Sequence, residues 1–148
     1  MGQNGTGRNE VIQTMNNTSK IDLAVESIVD LINEMGNFAE MTFGALGTGN
    51  SLCCQLAPSN DQAVFLDKNS YAVLTLAING KHKNQQTLTN TLNNILDNLA
   101  RRTEYPSGQG WEVVDVSRGN FPRIIDREES NAWVMSCDLI IKVYRKDD

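Results

Sequence analysis

The sequence lacks a long apolar run and an excess of basic side chains. A membrane-spanning helix needs about 18 to 20 consecutive apolar residues, and no stretch of this chain of 148 residues approaches that length. The 13 lysine and arginine side chains are outnumbered by 18 acidic ones, which leaves a formal net charge of -5. Proteins that bind DNA or RNA through phosphate contacts need clustered basic side chains. The composition therefore argues against both a membrane span and an ordinary nucleic-acid binder.

Cysteine is scarce and unpaired. Cys53, Cys54 and Cys137 have no CxxC spacing and no histidine at zinc-ligand spacing, and an odd number does not fit a closed disulfide framework. We expect three buried thiols that pack as small apolar side chains. The sequence predicts no metal and no other cofactor.

Histidine occurs once, at His82, and the neighbouring sequence offers neither a nucleophile nor an orienting acid. General-base catalysis by histidine needs such partners. An acetyltransferase resembling the chloramphenicol family would need an aspartate at a set spacing after the histidine, but the next aspartate is Asp97. An enzyme is therefore not predicted.

Two other patterns imitate active-site motifs. The glycines of residues 44–49 lack the Gly-Lys-Ser/Thr of a phosphate-binding loop and follow a predicted helix, whereas a dinucleotide fingerprint follows a strand. The acidic side chains are interpreted as a solvated loop and a solvated tail: Asp126, Glu128 and Glu129, and Asp147 with Asp148. Neither pattern predicts catalysis.

The length suits one domain with its own core. Residues 1–18 are rich in glycine, asparagine and threonine and show no apolar periodicity, so we expect a flexible N-terminal arm ahead of a single domain over residues 19–148. The arm also lacks the apolar segment of a secretory signal. A cytoplasmic protein is expected.

Two stretches predict amphipathic helices, because apolar side chains recur every three to four residues. The first helix is capped by Thr18 or Ser19, ends near Gly36 or somewhat beyond it, and carries Ile21, Val25, Ile28, Ile32 and Met35. The second lies between Lys81–Asn84 and Arg101-Arg102 and carries Leu88, Leu92, Ile95, Leu96 and Leu99.

Four stretches predict strands, with a sharp turn at Asn79-Gly80: Ser51–Ala57, Tyr71–Ile78, Trp111–Ser117 and Ala132–Tyr144. The large aromatic side chains of Phe65, Trp111 and Trp133 are expected to pack inward. The order α-β-β-α-β-β predicts an α+β fold with a mostly antiparallel sheet and two helices packed on one face.

Three stretches, in their order, resemble a known family. They are AVFLDKNSYAVLTLAINGKHKNQQTL at residues 63–88, YPSGQGWEVV at residues 105–114 and DREE at residues 126–129, before a final apolar strand. In this order they resemble the small tail terminator proteins of long-tailed bacteriophages. These proteins are often labelled minor capsid proteins in phages of Gram-positive bacteria.

The resemblance covers about residues 21–145. It is strongest at Phe65–Lys68 and at Asn79–Gln86, whereas residues 1–17 fall outside it and residues 44–50 are less typical. These segments are not catalytic motifs, so the resemblance depends on the whole pattern and its order.

The resemblance implies a structural protein of the virion neck with an α+β fold. Such a protein forms a hexameric ring that caps the tail tube, ends its polymerisation and offers a docking face to the head connector. The implied partners are further copies of the chain, the tail tube protein and a head-closure or connector protein, while DNA passes through the ring without specific binding. Assembly in the host cytoplasm would place the protein in the tail or neck of the virion. The alternative is another neck or tail component, such as a head-closure or adaptor protein or a tail tube protein.

Two charged segments are the candidate contacts with other subunits or with the tail tube. The first precedes the second helix, where positive charge opposes the helix macrodipole: Lys81, His82 and Lys83. The second is the polar loop between the last two strands, where opposite charges can set register across a ring: Arg123, Asp126, Arg127 and Glu128. An ordinary solvated surface is the alternative for both segments.

Overall fold

The computed structural model describes residues 20–57, 63–65 and 69–146. The predicted arm over residues 1–18 and the cap at Thr18 or Ser19 lie outside the described residues. The described residues form two helices and eight strands, which in chain order are α1 (residues 20–33), β1 (Met41–Phe43), β2 (Ser51–Leu56), β3 (Ala63–Phe65), β4 (Asn69–His82), α2 (Gln85–Ala100), β5 (Ser107–Gly108), β6 (Trp111–Arg118), β7 (Arg123–Arg127) and β8 (Trp133–Lys146).

Helix α1 confirms the first apolar stripe. Its fully buried side chains recur at helical spacing and include Ala24, Ile28 and Ile32. After its last turn, Gly36 adopts a φ of +73°, a left-handed conformation that glycine accepts without steric cost. The carbonyl oxygen of Ile32 in the last turn accepts from the backbone N–H of Met35 at 3.1 Å and from the side-chain amide of Asn37 at 3.0 Å.

Helix α2 confirms the second apolar stripe. Asn84 is its N-cap, and the Asn84 side chain accepts a hydrogen bond of 2.9 Å from the backbone N–H of Thr87. The inward side of the helix buries five side chains completely: Leu88, Leu92, Ile95, Leu96 and Leu99.

The strands form one sheet in the order β1-β2-β4-β8-β6-β5, with β3 beside β4 and β7 beside β8. Strand β1 runs parallel to β2, and the other pairings are antiparallel. The α+β class is confirmed. The sheet is mixed, however, so the predicted mostly antiparallel sheet is corrected in this respect.

The element order also differs from α-β-β-α-β-β, because four strands precede α2 and four follow it. The additional strands β1, β3, β5 and β7 have two to five residues each. Strands β1, β3 and β5 have too few residues for a period-two signal, and the adjacent Ile124 and Ile125 interrupt the alternation in β7. Their pairing with longer strands makes them visible only in the folded chain.

The parallel strand β1 also accounts for the glycine-rich stretch. Residues 44–50 connect β1 to β2 and must carry the chain back to the end of the sheet where β1 began, so that both strands run in the same direction. Gly44 adopts a φ of +107°, and its N–H donates to the carbonyl oxygen of Cys54 at 3.1 Å. The glycines of this stretch therefore let the backbone return between two parallel strands.

The long strands β4 and β8 form the centre of the sheet. Their apolar side chains alternate, and Ile78 lies opposite Cys137 while Leu76 lies opposite Leu139. Helix α2 contacts both strands and β6, and the buried side of α1 belongs to the same core cluster. We call this apolar side of the sheet the inner face.

The turn predicted at Asn79-Gly80 is wrong, because β4 continues through both residues to His82. Gly80 meets a packing requirement instead. A Cβ atom at this position would lie 2.6 Å from Cδ1 of Leu88 and 3.1 Å from Cδ2 of Leu52. The absence of a side chain lets α2 approach the sheet closely.

The three cysteines are free and buried, as predicted. Trp111 and Trp133 are partly buried and pack against the core. Phe65 lies in β3, but its side chain is outside the described residues. In the part of the chain that is described, the helices are too short or too polar to span a membrane.

Candidate functional site

Lys81 is the most unusual of the predicted contact residues. It lies near the end of β4, where its register partner is Val134, and only 4% of its surface is exposed. Its ammonium nitrogen lies 3.3 Å from both carboxylate oxygens of Glu128. Buried lysines are rare unless they are paired. The structure therefore joins one residue from each of the two charged segments in a partly buried ion pair.

His82 and Lys83 have different environments from Lys81. The ring of His82 packs edge-on against Phe38 with a centroid distance of 4.6 Å, and its Nδ1 accepts from the backbone N–H of Asn84 at 2.9 Å. Lys83 is exposed, and its backbone N–H donates to the Asn50 side chain at 3.3 Å. The sequence placed the three residues together ahead of α2, but they do not form one basic patch.

The second charged segment is a strand, which corrects the predicted polar loop. Strand β7 pairs with the beginning of β8, and all its residues are exposed. The guanidinium of Arg127 lies 4.2 Å from the ring centroid of Trp133, a cation-π contact. Asp126 accepts a hydrogen bond of 2.7 Å from the backbone N–H of Arg127. Arg123 lies opposite Ser136 at the start of the strand.

Four predicted contact residues line one open groove with a volume of about 910 Å³: Lys81, Asp126, Arg127 and Glu128. The glycine-rich connection supplies Gly47 and Thr48 to the same groove. Small-molecule sites enclose their ligand with apolar walls and a few polar groups, whereas this groove is wide and lined by charges of both signs. Such a surface suits contact with another protein.

Sequence reasoning missed two exposed apolar surfaces. On one flank, Phe43 of β1 and Leu56 of β2 line a cleft of about 320 Å³ with Asp22 and Glu26 of α1. On the other flank, exposed apolar side chains occur in β7 and just before it: Phe121, Ile124 and Ile125. The sequence of these short segments does not indicate whether their apolar side chains are buried or exposed, because exposure depends on where the sheet ends.

The buried thiols offer no nucleophile at neutral pH. Burial, followed by the neighbouring Cys53, raises the pKa of the Cys54 thiol to about 12. Burial, followed by Asp138, raises the pKa of Cys137 to about 12. Since the thiolate is the reactive form, these side chains act in packing. Among the described residues, no cluster of histidine, cysteine, aspartate and glutamate has the arrangement of a metal site.

No protein-family model matches this chain. No curated protein matches it either.

A solved structure has a similar fold. The chain is similar to a chain in the "Virion of native gene transfer agent (GTA) particle", with a TM-score of 0.54 and 12% sequence identity. The similarity covers 80% of this chain and 85% of that chain. At this identity the similarity shows the fold alone.

Proposed function

We propose that this chain is a structural virion protein of a long-tailed phage or phage-like particle, in which it acts as the tail terminator. The observation that carries the proposal is the fold similarity to a chain of a gene transfer agent virion, over 80% of this chain. The ordered resemblance of residues 63–88, 105–114 and 126–129 to tail terminator proteins supports the more specific role.

The mechanism proposed is geometrical. Identical subunits form a closed ring when each has two different complementary faces and the rotation between neighbours closes. A hexameric ring of this kind would sit on the last ring of tube protein, and its opposite side would meet the head-closure or connector protein. Because that opposite side differs from a tube surface, no further tube subunit would add.

The charged groove around Lys81 and Glu128 supports a role in protein contact. Its charges have both signs, and Arg127 and Asp126 are exposed beside the partly buried pair. Complementary charges fix the register of two protein surfaces and suppress wrong partners. We assign this groove to contact with a neighbouring subunit or the tail tube.

The net charge supports passage of DNA through the ring. Each copy carries a formal charge of -5, and a ring multiplies that charge. A surface with a negative potential repels the phosphate backbone. DNA would therefore pass through such a ring without specific binding.

Tube assembly in the presence of the purified chain tests the proposal. Tail tube protein is polymerised with and without the chain, and tube lengths and ends are measured by electron microscopy. We expect short tubes capped by a ring. Unchanged tube lengths with bare ends would contradict a terminator.

Deletion of the gene separates the terminator from other tail roles. Loss of a terminator leaves tails of uncontrolled length that do not join heads. Absence of all tails would instead identify a tube protein, and tails of normal length without heads would identify a head-closure or adaptor protein.

A further inference from the structure

The cleft between α1, β1 and β2 is apolar at its centre and acidic at its rim. Phe43 is 52% exposed, and Leu56 lies beside it with Val25 and Gln55. The carboxylates of Asp22 and Glu26 belong to the same cleft. We call this surface the acidic cleft. Solvent-exposed aromatic and aliphatic groups bordered by charge are typical of protein contact surfaces.

The acidic rim continues along α1. Exposed acidic side chains recur at every fourth position, which puts them on one side of the helix: Asp22, Glu26, Asp30 and Glu34. None of the four forms an ion pair within the described ranges. Like charges at this spacing repel one another, so a basic partner surface would relieve that repulsion.

The opposite flank of the sheet carries more basic than acidic side chains over residues 118–127, and Glu128 and Glu129 follow directly. Residues 118–127 contain three arginines and one aspartate, and they include exposed Phe121 and Ile125. We call this segment the β7 flank. Phe121 is 64% exposed, and Ile125 falls at a bulge where the register with β8 shifts between Ile124 and Asp126. Bulges at sheet edges re-aim side chains.

Arginine charge on the β7 flank is available for a partner. Arg118 is paired with Asp97, whereas Arg123 and Arg127 form no ion pair with any described residue. The single acid, Asp126, accepts from the backbone N–H of Arg127. The two arginines without an ion pair and the exposed apolar side chains of this flank therefore complement the apolar and acidic cleft.

We propose that the acidic cleft of one copy receives the β7 flank of a second copy. Phe121 and Ile125 contact Phe43 and Leu56, while Arg123 faces the carboxylates of α1. The two surfaces lie on different edges of the sheet, since β1 ends the strand order on one side and β7 pairs on the far side of β8. The contact is therefore heterologous, and each copy offers both halves. This inference deepens the proposed function and rests on it for the closure of copies into a ring.

Mixing two defective variants tests the contact. Phe43→Ser damages only the cleft, and Ile125→Ser damages only the β7 flank. Each variant alone should raise the apparent dissociation constant of self-association by at least about tenfold. A mixture retains one intact cleft and one intact flank, so native mass spectrometry should show heterodimers and no larger species.

Charge reversal provides an independent measurement. Glu26→Arg and Arg123→Glu should each weaken self-association, and combining both in one chain should restore most of it. Matched controls are Val73→Ser, an exposed apolar change in β4, and Glu112→Arg, an exposed acidic change in β6. Both controls should assemble like the unmodified chain.

Several outcomes overturn the inference. An unmodified chain that stays monomeric at the highest attainable concentration contradicts it, as does a mixture that remains monomeric. Loss of assembly with Phe43→Ser but not with Ile125→Ser indicates a symmetric cleft-to-cleft contact or another occupant of the cleft, such as residues 1–19 or the tube protein.

The two proposals fail separately. Rings that cap tubes but survive both serine substitutions would keep the proposed function and exclude this contact. Heterodimers in the mixture, together with an unmodified chain that leaves tube growth unchanged, would keep the contact and exclude the terminator.

Discussion

The inner face of the sheet and its two flanks use the same kinds of apolar side chain in opposite ways. On the inner face, Ile78 and Leu139 are completely buried beneath the helices. On the flanks, Phe43 and Phe121 remain more than half exposed, with charged residues nearby. The buried apolar side chains of the inner face stabilise the fold. The apolar side chains of the flanks remain exposed to water in the single chain.

The largest effect is expected from a change on the inner-face side of the core. Leu92→Ala in α2 removes a fully buried side chain, and the lost burial plus the remaining cavity should reduce the free energy of unfolding by about 2 to 5 kcal/mol. Urea denaturation measures this loss. Leu23→Ala in α1 is the matched control, because Leu23 is 47% exposed, and it should change stability by less than about 0.5 kcal/mol. Equal losses in the free energy of unfolding for Leu92→Ala and Leu23→Ala would contradict the distinction between buried and exposed apolar side chains.

A smaller loss of stability is expected from removing the partner of the buried Lys81 ammonium. Glu128→Ala leaves the Lys81 ammonium buried without its carboxylate, and we expect a loss of about 1 to 3 kcal/mol. The range is modest because the Glu128 side chain is itself 39% exposed. Thermal or urea unfolding measures the change.

Two further variants sharpen this result. Lys81→Met combined with Glu128→Ala should recover part of the stability, since no buried charge remains unpaired. Glu129→Ala, at the exposed neighbouring residue, should have little effect. A double variant less stable than Glu128→Ala would show that the ammonium is solvated and not dependent on Glu128.

The last effect is absent at neutral pH and concerns the thiols of the core, whose contribution to stability changes only at alkaline pH. The folded chain holds the pKa of Cys54 and Cys137 at about 12, against an ordinary value of 9.0. The unfolded chain loses these protons first, so stability is fully present below pH 9.0 and declines as the pH rises towards 12. The slope should approach about 1.4 kcal/mol per pH unit for each thiol.

Stability curves of the unmodified chain and of Cys137→Ala between neutral and alkaline pH isolate this contribution. The variant is less stable at neutral pH because it loses buried volume, but its alkaline decline should be shallower. Parallel declines would mean that Cys137 does not hold its proton in the folded chain. All three cysteines are buried, so a cysteine on a flank cannot serve as the control. Val73→Ser, which retains all three thiols, is the control instead.

The helices and the long strands were predictable because burial on one side repeats with a local period. The helical spacing of Leu88, Leu92 and Leu99 indicates helix α2 from the sequence itself. The alternation of apolar and polar residues from Trp133 onward indicates β8. The turn at Asn79-Gly80 was mispredicted because glycine is common both in turns and where two elements pack closely. Here it admits Leu88 and Leu52 against the sheet, a requirement that depends on residues distant in the chain.

The candidate site was only partly predictable. Lys81 and Glu128 were both recognised as notable charges, but their pairing joins residues 47 positions apart. It depends on the register that aligns β4, β8 and β7. The acidic cleft and the β7 flank were missed, because β1 is too short to give a periodic pattern and the adjacent Ile124 and Ile125 interrupt the alternation in β7.

By itself, the sequence determined an acidic α+β chain with two amphipathic helices, a sheet of long apolar strands and thiols suited to packing. These properties follow from composition and from periods of two and 3.6 residues, which are local. Only the tertiary structure decided that β1 runs parallel to β2, that Lys81 is buried, and that apolar side chains remain exposed on two flanks of the sheet that differ in charge. Those features depend on which strand ends the sheet and on long-range register, and neither quantity is encoded in any single segment.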